Sequence, residues 1–258
     1  MLPSLFIAHG APTLAIETGT YVDFLKQLAA NYPTPRAIVV FSAHWEAQKQ
    51  LISGAPSHSM IYDFYGFPEE LYQVEYPAKG DPTLAQEIQQ LFEAQGIQAS
   101  IDTERGIDHG TWVPLHLVYP ESNIPVIALS VNRFLTAEQQ YQLGRALASL
   151  REKDILVIGS GGTVHNLRRL DWDSTTAVSW AKEFDGWLGE RIEKWDVEEL
   201  WQYETLAPYA REAVPTPEHF VPLLLAMGAA DDKRTARKLY QSYQLGSLSL
   251  TCWEFGGE

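Results

Sequence analysis

Four short apolar runs constrain this chain more than any motif does. Leu5–Ala8, Ala37–Ser42, Ile124–Val131 and Ile155–Ile158 are four to eight residues long and rich in aliphatic and β-branched side chains. None shows the polar–apolar alternation of a half-exposed strand, so each reads as a strand buried on both faces. Segments of helical period lie around them: Tyr21–Ala30, Pro82–Gln95, Ala137–Lys153, Ser179–Lys194, Pro217–Ala229 and Asp232–Tyr243. Asp81 followed by Pro82 is a strong helix start, a capping carboxylate before a proline in the first turn. The alternation predicts an α/β fold: one domain over 1–258, with a central, mostly parallel sheet, helices on both faces, and an edge strand at Leu248–Trp253. No repeat, low-complexity tract or Ser/Gly linker divides the chain. Residues Ala55–Gly80 lack periodicity and are rich in aromatics and proline, the composition of a long binding loop or lid.

Charge and cysteine content narrow the class of partner. Nineteen Lys and Arg against 33 Asp and Glu leave a net charge of −14, a poor footprint for a nucleic-acid backbone. The most apolar stretch, Phe220–Ala230, has 11 residues and contains Pro222 and Gly228, too short to span a membrane. The first residues carry no basic n-region or long apolar h-region, and the single cysteine, Cys252, suits packing in a reducing compartment. A cytoplasmic protein is expected.

The seven histidines carry the functional signal. His9 follows the first strand (LFIAH), His44 the second (FSAH), and His165 follows ILVIG after the small-residue turn SGGTV. In open parallel sheets, ligands bind outside the carboxyl ends of the strands, so three imidazoles are delivered to one edge. His219 lies in TPEHF, where Thr216 can cap a helix that begins at Pro217 and is distorted by Pro222. His109 sits in the Gly-flanked turn GIDHG. His116 lies among apolar neighbours and reads as structural, and His58 as a surface-loop residue. Trp45 and Trp112, beside His44 and His109, are placed near a planar ligand. No H-E-x-x-H, C-x-x-C or clustered Asp motif occurs, so a metal site must be assembled from distant segments. The GSGGT turn at 159–163 lacks the Lys-Ser/Thr of a P-loop, and Ser160 stands outside a G-x-S-x-G elbow; its small residues are expected to let backbone approach the site. Imidazole ligands with open positions serve non-haem Fe(II) oxygenases and hydrolytic zinc alike. A zinc-dependent hydrolase or chelatase on a similar α/β fold is therefore the alternative to an oxygenase.

Seven blocks, in order along the chain, carry a family resemblance. They are LFIAHGAPTLAIE at the start, SAHWE at 42–46, YDFYGFPEELYQVEYPAKGDP at 62–82, RGIDHGTWVPLHLVYP at 105–120, PVIALSVN at 125–132, GSGGTVHNLR at 159–168 and PTPEHFVPLL at 215–224. The chain resembles the class III extradiol ring-cleavage dioxygenases, and more closely their 4,5-DOPA dioxygenase extradiol branch. The resemblance implies a non-haem Fe(II) centre held by His9, His44 and His219, in a site that zinc can also occupy. His165 would be a further ligand or the acid/base residue, and His109 the second catalytic histidine, contacting substrate or oxygen. The wider class uses a glutamate as third ligand, and Glu218 stands next to His219. The substrates implied are a catechol such as L-DOPA and O2. The product would be a muconic semialdehyde able to cyclise to betalamic acid-type compounds. A histidine titrating near neutrality suits removal of a phenolic proton and its later return. The aromatic insertion 62–76 would cover the ring and exclude water.

Overall fold

The computed structural model describes every residue except 172, 175 and 258. In chain order the regular elements are β1 (Ser4–Ala8), α1 (Thr20–Leu28), β2 (Ala37–Glu46), β3 (Gln50–Ser53), α2 (Pro82–Ala94), β4 (Ala99–Asp102), α3 (His109–Val118), β5 (Val126–Val131), α4 (Ala137–Arg145) and β6 (Ile155–Gly161). After α5 (Ser179–Glu193) come three short helices, α6 (Val197–Trp201), α7 (Tyr203–Leu206) and α8 (Ala210–Ala213). The chain then forms α9 (Val221–Gly228), β7 (Ala236–Tyr240), a small hairpin of β8 (Tyr243–Gln244) and β9 (Leu248–Ser249), and finally β10 (Cys252–Phe255).

Eight strands form one sheet in the order β4-β3-β5-β2-β6-β1-β10-β7. The four central strands β5, β2, β6 and β1 are parallel to one another, while β10 and β7 add an antiparallel flank and β3 meets β5 antiparallel. Successive residues of the central strands enter opposite cores, which explains their unbroken apolar sequence. Leu5, Ile7, Ile38, Val40, Leu156 and Ile158 pack with α1 and α3. Val39, Phe41, Ile155 and Val157 pack with α2, α4 and α9, and Phe6 packs with α5. At about 1.5–3 kcal/mol for each fully buried aliphatic side chain, both faces must stay covered for the sheet to persist. Parallel register leaves the carboxyl ends of β1, β2 and β6 side by side, with Ala8 beside Gly161 and Ser42 beside Ser160.

Several sequence expectations are corrected here. Asp232–Tyr243 is not a helix: Ala236–Tyr240 is strand β7, because pairing with β10 outweighs local helix propensity, and Arg237 pairs with Glu254 across the strands. Leu248–Trp253 is not one edge strand. It splits into β9 and β10, and β10 lies one position inside the sheet edge. The helix expected to reach Lys153 ends at Arg145 and continues as a 3₁₀ segment, Ala148–Lys153. The Pro217–Ala229 helix is likewise broken into a 3₁₀ turn, Pro217–His219, followed by α9, and Thr216 does not cap it. Strands β3 and β4 left no sequence signal, since QLIS and ASID are short and half polar. Asp81 caps α2 as expected, accepting from the Leu84 N–H at 3.0 Å.

Candidate metal centre

His9 directly follows β1, and its N–H donates to Gly161 O at 3.2 Å. His44 lies near the end of β2. His219 closes the 3₁₀ turn ahead of α9, and its carbonyl accepts from the Gly162 N–H at 2.8 Å. A Cβ at Gly161 would meet that same carbonyl oxygen at 2.1 Å, so only glycine lets the His219 segment lie against the end of β6. The small residues of GSGGT thus admit backbone to the site, as the sequence suggested.

These segments bring three imidazoles to one point. His9 Nε2 lies 3.0 Å from His44 Nε2, which lies 3.2 Å from His219 Nε2. Each opposite ring nitrogen meets an acceptor. The Ser160 hydroxyl donates to Gly110 O, so toward His9 Nδ1, 3.0 Å away, it accepts a proton. His219 Nδ1 donates to Glu218 Oε1 at 3.1 Å, and His44 Nδ1 stands 3.4 Å from Asp63 Oδ2. With protons held at Nδ1, the three Nε2 lone pairs face one another without a hydrogen between them. Burial and then the neighbouring imidazoles depress all three: His9 and His219 fall well below their ordinary value. His44 falls to about 3, with Asp63 pulling upward. The cluster is neutral near pH 7 and presents nitrogen lone pairs only.

A cation fits this arrangement. Imidazole nitrogens bind zinc-type ions at about 2.0–2.1 Å, so two such ligands at a right angle stand about 2.9 Å apart, close to the observed spacings. The outer partners on Nδ1 are those that hold a metal-binding histidine in its tautomer.

His109 and His165 flank the trio. His109 is the first residue of α3, not part of a turn; Asp108 caps that helix and is tied down by Ser42 and Arg105 at 2.6 and 2.9 Å. Its ring centroid lies 3.9 Å from that of His44, and one ring nitrogen lies within 4.8 Å of a nitrogen of His9 and of His44. Asp63 Oδ1 accepts from both the His109 backbone N–H, at 3.0 Å, and its Nδ1, at 2.9 Å. Burial alone would push the Asp63 carboxyl up, but these His109 contacts hold it at about 2. His165 stacks flat on His219, with ring centroids 3.5 Å apart and 7° between planes, and burial lowers it to about 4. Its ring nitrogens bond to no described residue.

The remaining candidates separate from the site. His58 is buried, not on the surface, and donates from Nε2 to Val126 O at 2.9 Å. His116 is half-buried on α3. Trp112 is wholly buried; the Phe64 ring lies between it and the cluster, 6.2 Å from Trp112 and 5.8 Å from His109. Trp45 carries Arg105 over its ring and is a packing residue. A cleft of about 880 Å³ between α4, the β2–β3 turn and the segment after α2, lined by Gln48, Gln50, Gln98 and Gln142 among others, contains none of the histidines. Sequence reasoning missed Asp63, Ser160 and Asp108 as partners of the imidazoles. Their only signal was position: an acid inside an aromatic insertion, a hydroxyl at a strand end and an acid before a helix.

Comparison with known proteins agrees with this geometry. Residues 4–251 match the family described as the catalytic LigB subunit of aromatic ring-opening dioxygenase. A 4,5-DOPA dioxygenase extradiol from Beta vulgaris is 41% identical over 98% of this chain and 96% of its own length. Another from Portulaca grandiflora is 40% identical over 98% and 95%, and one from Escherichia coli K12 is 35% identical over 99% and 95%. The crystal structure of an uncharacterized Escherichia coli K12 protein superposes with a TM-score of 0.85 at 32% identity, covering 99% of this chain and 100% of that one. Family and histidine cluster together point to a metal cofactor. With a family match along nearly the whole chain and relatives above 30% identity, this protein belongs to the family of the catalytic LigB subunit of aromatic ring-opening dioxygenase and is an extradiol ring-cleaving dioxygenase.

Proposed function

We propose that the whole chain, 1–258, is one catalytic unit that opens the ring of a catechol such as L-DOPA with O2. The product is a muconic semialdehyde that can cyclise to a betalamic acid-type compound. The observation that carries this is the convergence of three bare Nε2 atoms, from His9, His44 and His219, at the strand ends. Those residues would hold Fe(II), with Zn(II) able to occupy the same ligands. When bound, Fe(II) supplies chelation of the two catechol oxygens and a redox partner for dioxygen.

The chain's own groups supply position and proton transfer. His109, held through Nδ1 by Asp63, takes the phenolic proton at its other nitrogen. His165 is neutral near pH 7 and stacked on His219, so it can accept a proton at the opposite side and return it during ring opening. Phe64 stands edge-on to His109, and with Tyr62, Phe67 and Tyr72 it makes an aromatic wall from the 62–76 insertion that excludes water from the catechol face. The one cysteine, buried and free, supports a cytoplasmic location.

Anaerobic reconstitution with Fe(II), followed by oxygen uptake and visible absorbance on adding L-DOPA, tests this reading. Stoichiometric uptake with a yellow product is expected, and none from the Zn(II)-loaded protein. Bound iron without uptake on L-DOPA or a panel of catechols overturns it.

A further inference from the structure

One carboxylate touches both the histidine cluster and the segment beside it. Asp63 lies in the 62–76 insertion between Tyr62 and Phe64, outside every helix and strand. Its Oδ1 accepts two hydrogen bonds from His109: one from the backbone N–H, which has no acceptor within the helix at the start of α3, and one from the ring Nδ1–H. Its Oδ2 faces His44 Nδ1 at 3.4 Å. A carboxylate only accepts, so the hydrogen bond from His109 holds that ring's proton on Nδ1, and the nearby negative charge favours the same placement in His44, leaving Nε2 bare in both. The same segment is seated on α3 by independent contacts. Trp112 Nε1 donates to Ile61 O at 3.2 Å and Tyr62 packs on the Trp112 ring, while within the segment the Tyr62 hydroxyl donates to Val74 O at 2.8 Å. Asp63 is thus the polar link between an aromatic segment and two imidazoles of the cluster.

We propose that Asp63 is a positioning residue that sets the ring orientation and tautomer of His44 and His109 together, so that cation occupancy of the histidine cluster and seating of the 62–76 segment are one linked equilibrium. This rests on the reading of His9, His44 and His219 as metal ligands. Linkage is reciprocal: whatever factor seating the segment adds to cation affinity, the cation adds to seating. Outer partners of this kind change metal affinity by about 10–100-fold. Asn at 63 separates the two contacts, because its carbonyl oxygen can still accept from His109, whereas its amide would turn a donor toward the His44 Nδ1–H. Ala loses both.

The test uses the full chain stripped of metal, with Zn(II) alone as probe. Affinity is measured by competition with a chromophoric chelator for wild type, Asp63→Asn and Asp63→Ala. Ring tautomers of His44 and His109 are read from long-range ¹⁵N correlation spectra, and seating from protease cleavage within 62–76 with and without Zn(II). The expected results are Zn(II) affinity about 10–100-fold weaker in both variants, a His44 ring shifted off the Nδ1–H form in both, and a His109 ring shifted only in Asp63→Ala. Zn(II) should slow cleavage in wild type and lose that effect in Asp63→Ala. If wild type binds Zn(II) and both variants match it in affinity and tautomer, the linkage is overturned while the metal reading stands. If wild type binds no Zn(II), the metal reading itself falls and the linkage with it. Matching thermal melts for wild type and Asp63→Asn keep loss of fold out of the comparison.

Discussion

Two buried polar clusters sit at opposite ends of the sheet and are finished in opposite ways. Beside the start of β1, Arg151 is completely enclosed, yet its guanidinium is spoken for: Nε donates to Leu2 O at 2.8 Å, Nη1 to Ala229 O at 3.1 Å and to Asp232, and Nη2 to Gly256 O at 2.9 Å. It ties the first residues, the end of α9 and the end of β10 together. At the carboxyl end, the outer nitrogens of His9 and His219 are hydrogen-bonded, that of His44 faces the Asp63 carboxylate at 3.4 Å, and the three inner nitrogens face each other without a proton. A buried cation that only supports the fold is matched inside the protein. A site built to take a ligand leaves a valence open and spends its partners on orienting it.

The sharpest way to break this contrast is His9→Ala. Metal retention after dialysis and oxygen uptake should both fall well beyond the about 10–100-fold that loss of an outer partner brings, while the metal-free protein melts no lower than metal-free wild type. Retained metal with retained turnover would dissolve the distinction between the clusters. Next in size is Arg151→Met, which strands three carbonyl oxygens and Asp232. Chemical denaturation should show a loss of about 3–5 kcal/mol, with metal content per folded molecule unchanged. A variant of full stability but poor metal retention would mean that the far end serves the site after all.

The smallest effect sharpens the contrast with a third cluster. Asp185 on α5 is buried and accepts from Ser249 at 2.7 Å and Thr251 at 3.3 Å, while its other oxygen has no partner among the described residues. Burial raises its carboxyl above the ordinary range, with hydrogen bonds from the surrounding hydroxyls pulling it partly back. Between its unfolded value, near 3.9, and its raised folded value, the folded state binds the extra proton. Stability therefore falls as pH rises through that window. Asp185→Asn should lack this slope and gain on wild type as pH rises from about 4, read from denaturant melts across pH 4–8. Parallel curves would place Asp185 among groups whose charge the fold tolerates.

Much of the architecture was legible because burial on both faces leaves an unmistakable pattern in β1, β2, β5 and β6. Where the chain is short or half polar the pattern fails. QLIS and ASID are strands only because neighbours supply their ladders, and ARKLY became β7 because β10 needed a partner. The histidines at strand ends were legible for the same reason as the strands: a parallel sheet sends every strand's carboxyl end to one edge. Asp63 and Ser160 were not, since a carboxylate in a loop and a hydroxyl in a small-residue turn look alike wherever they point.

The sequence alone determined that strands buried on both faces would line up His9, His44 and His165 at one edge, because apolar continuity and strand direction are local properties. Only the tertiary structure decided which imidazoles converge, which stack, and which nitrogen of each keeps its proton. Those outcomes depend on atoms far apart in the chain: Ser160 against His9, Asp63 against His44 and His109, and His219 against His44.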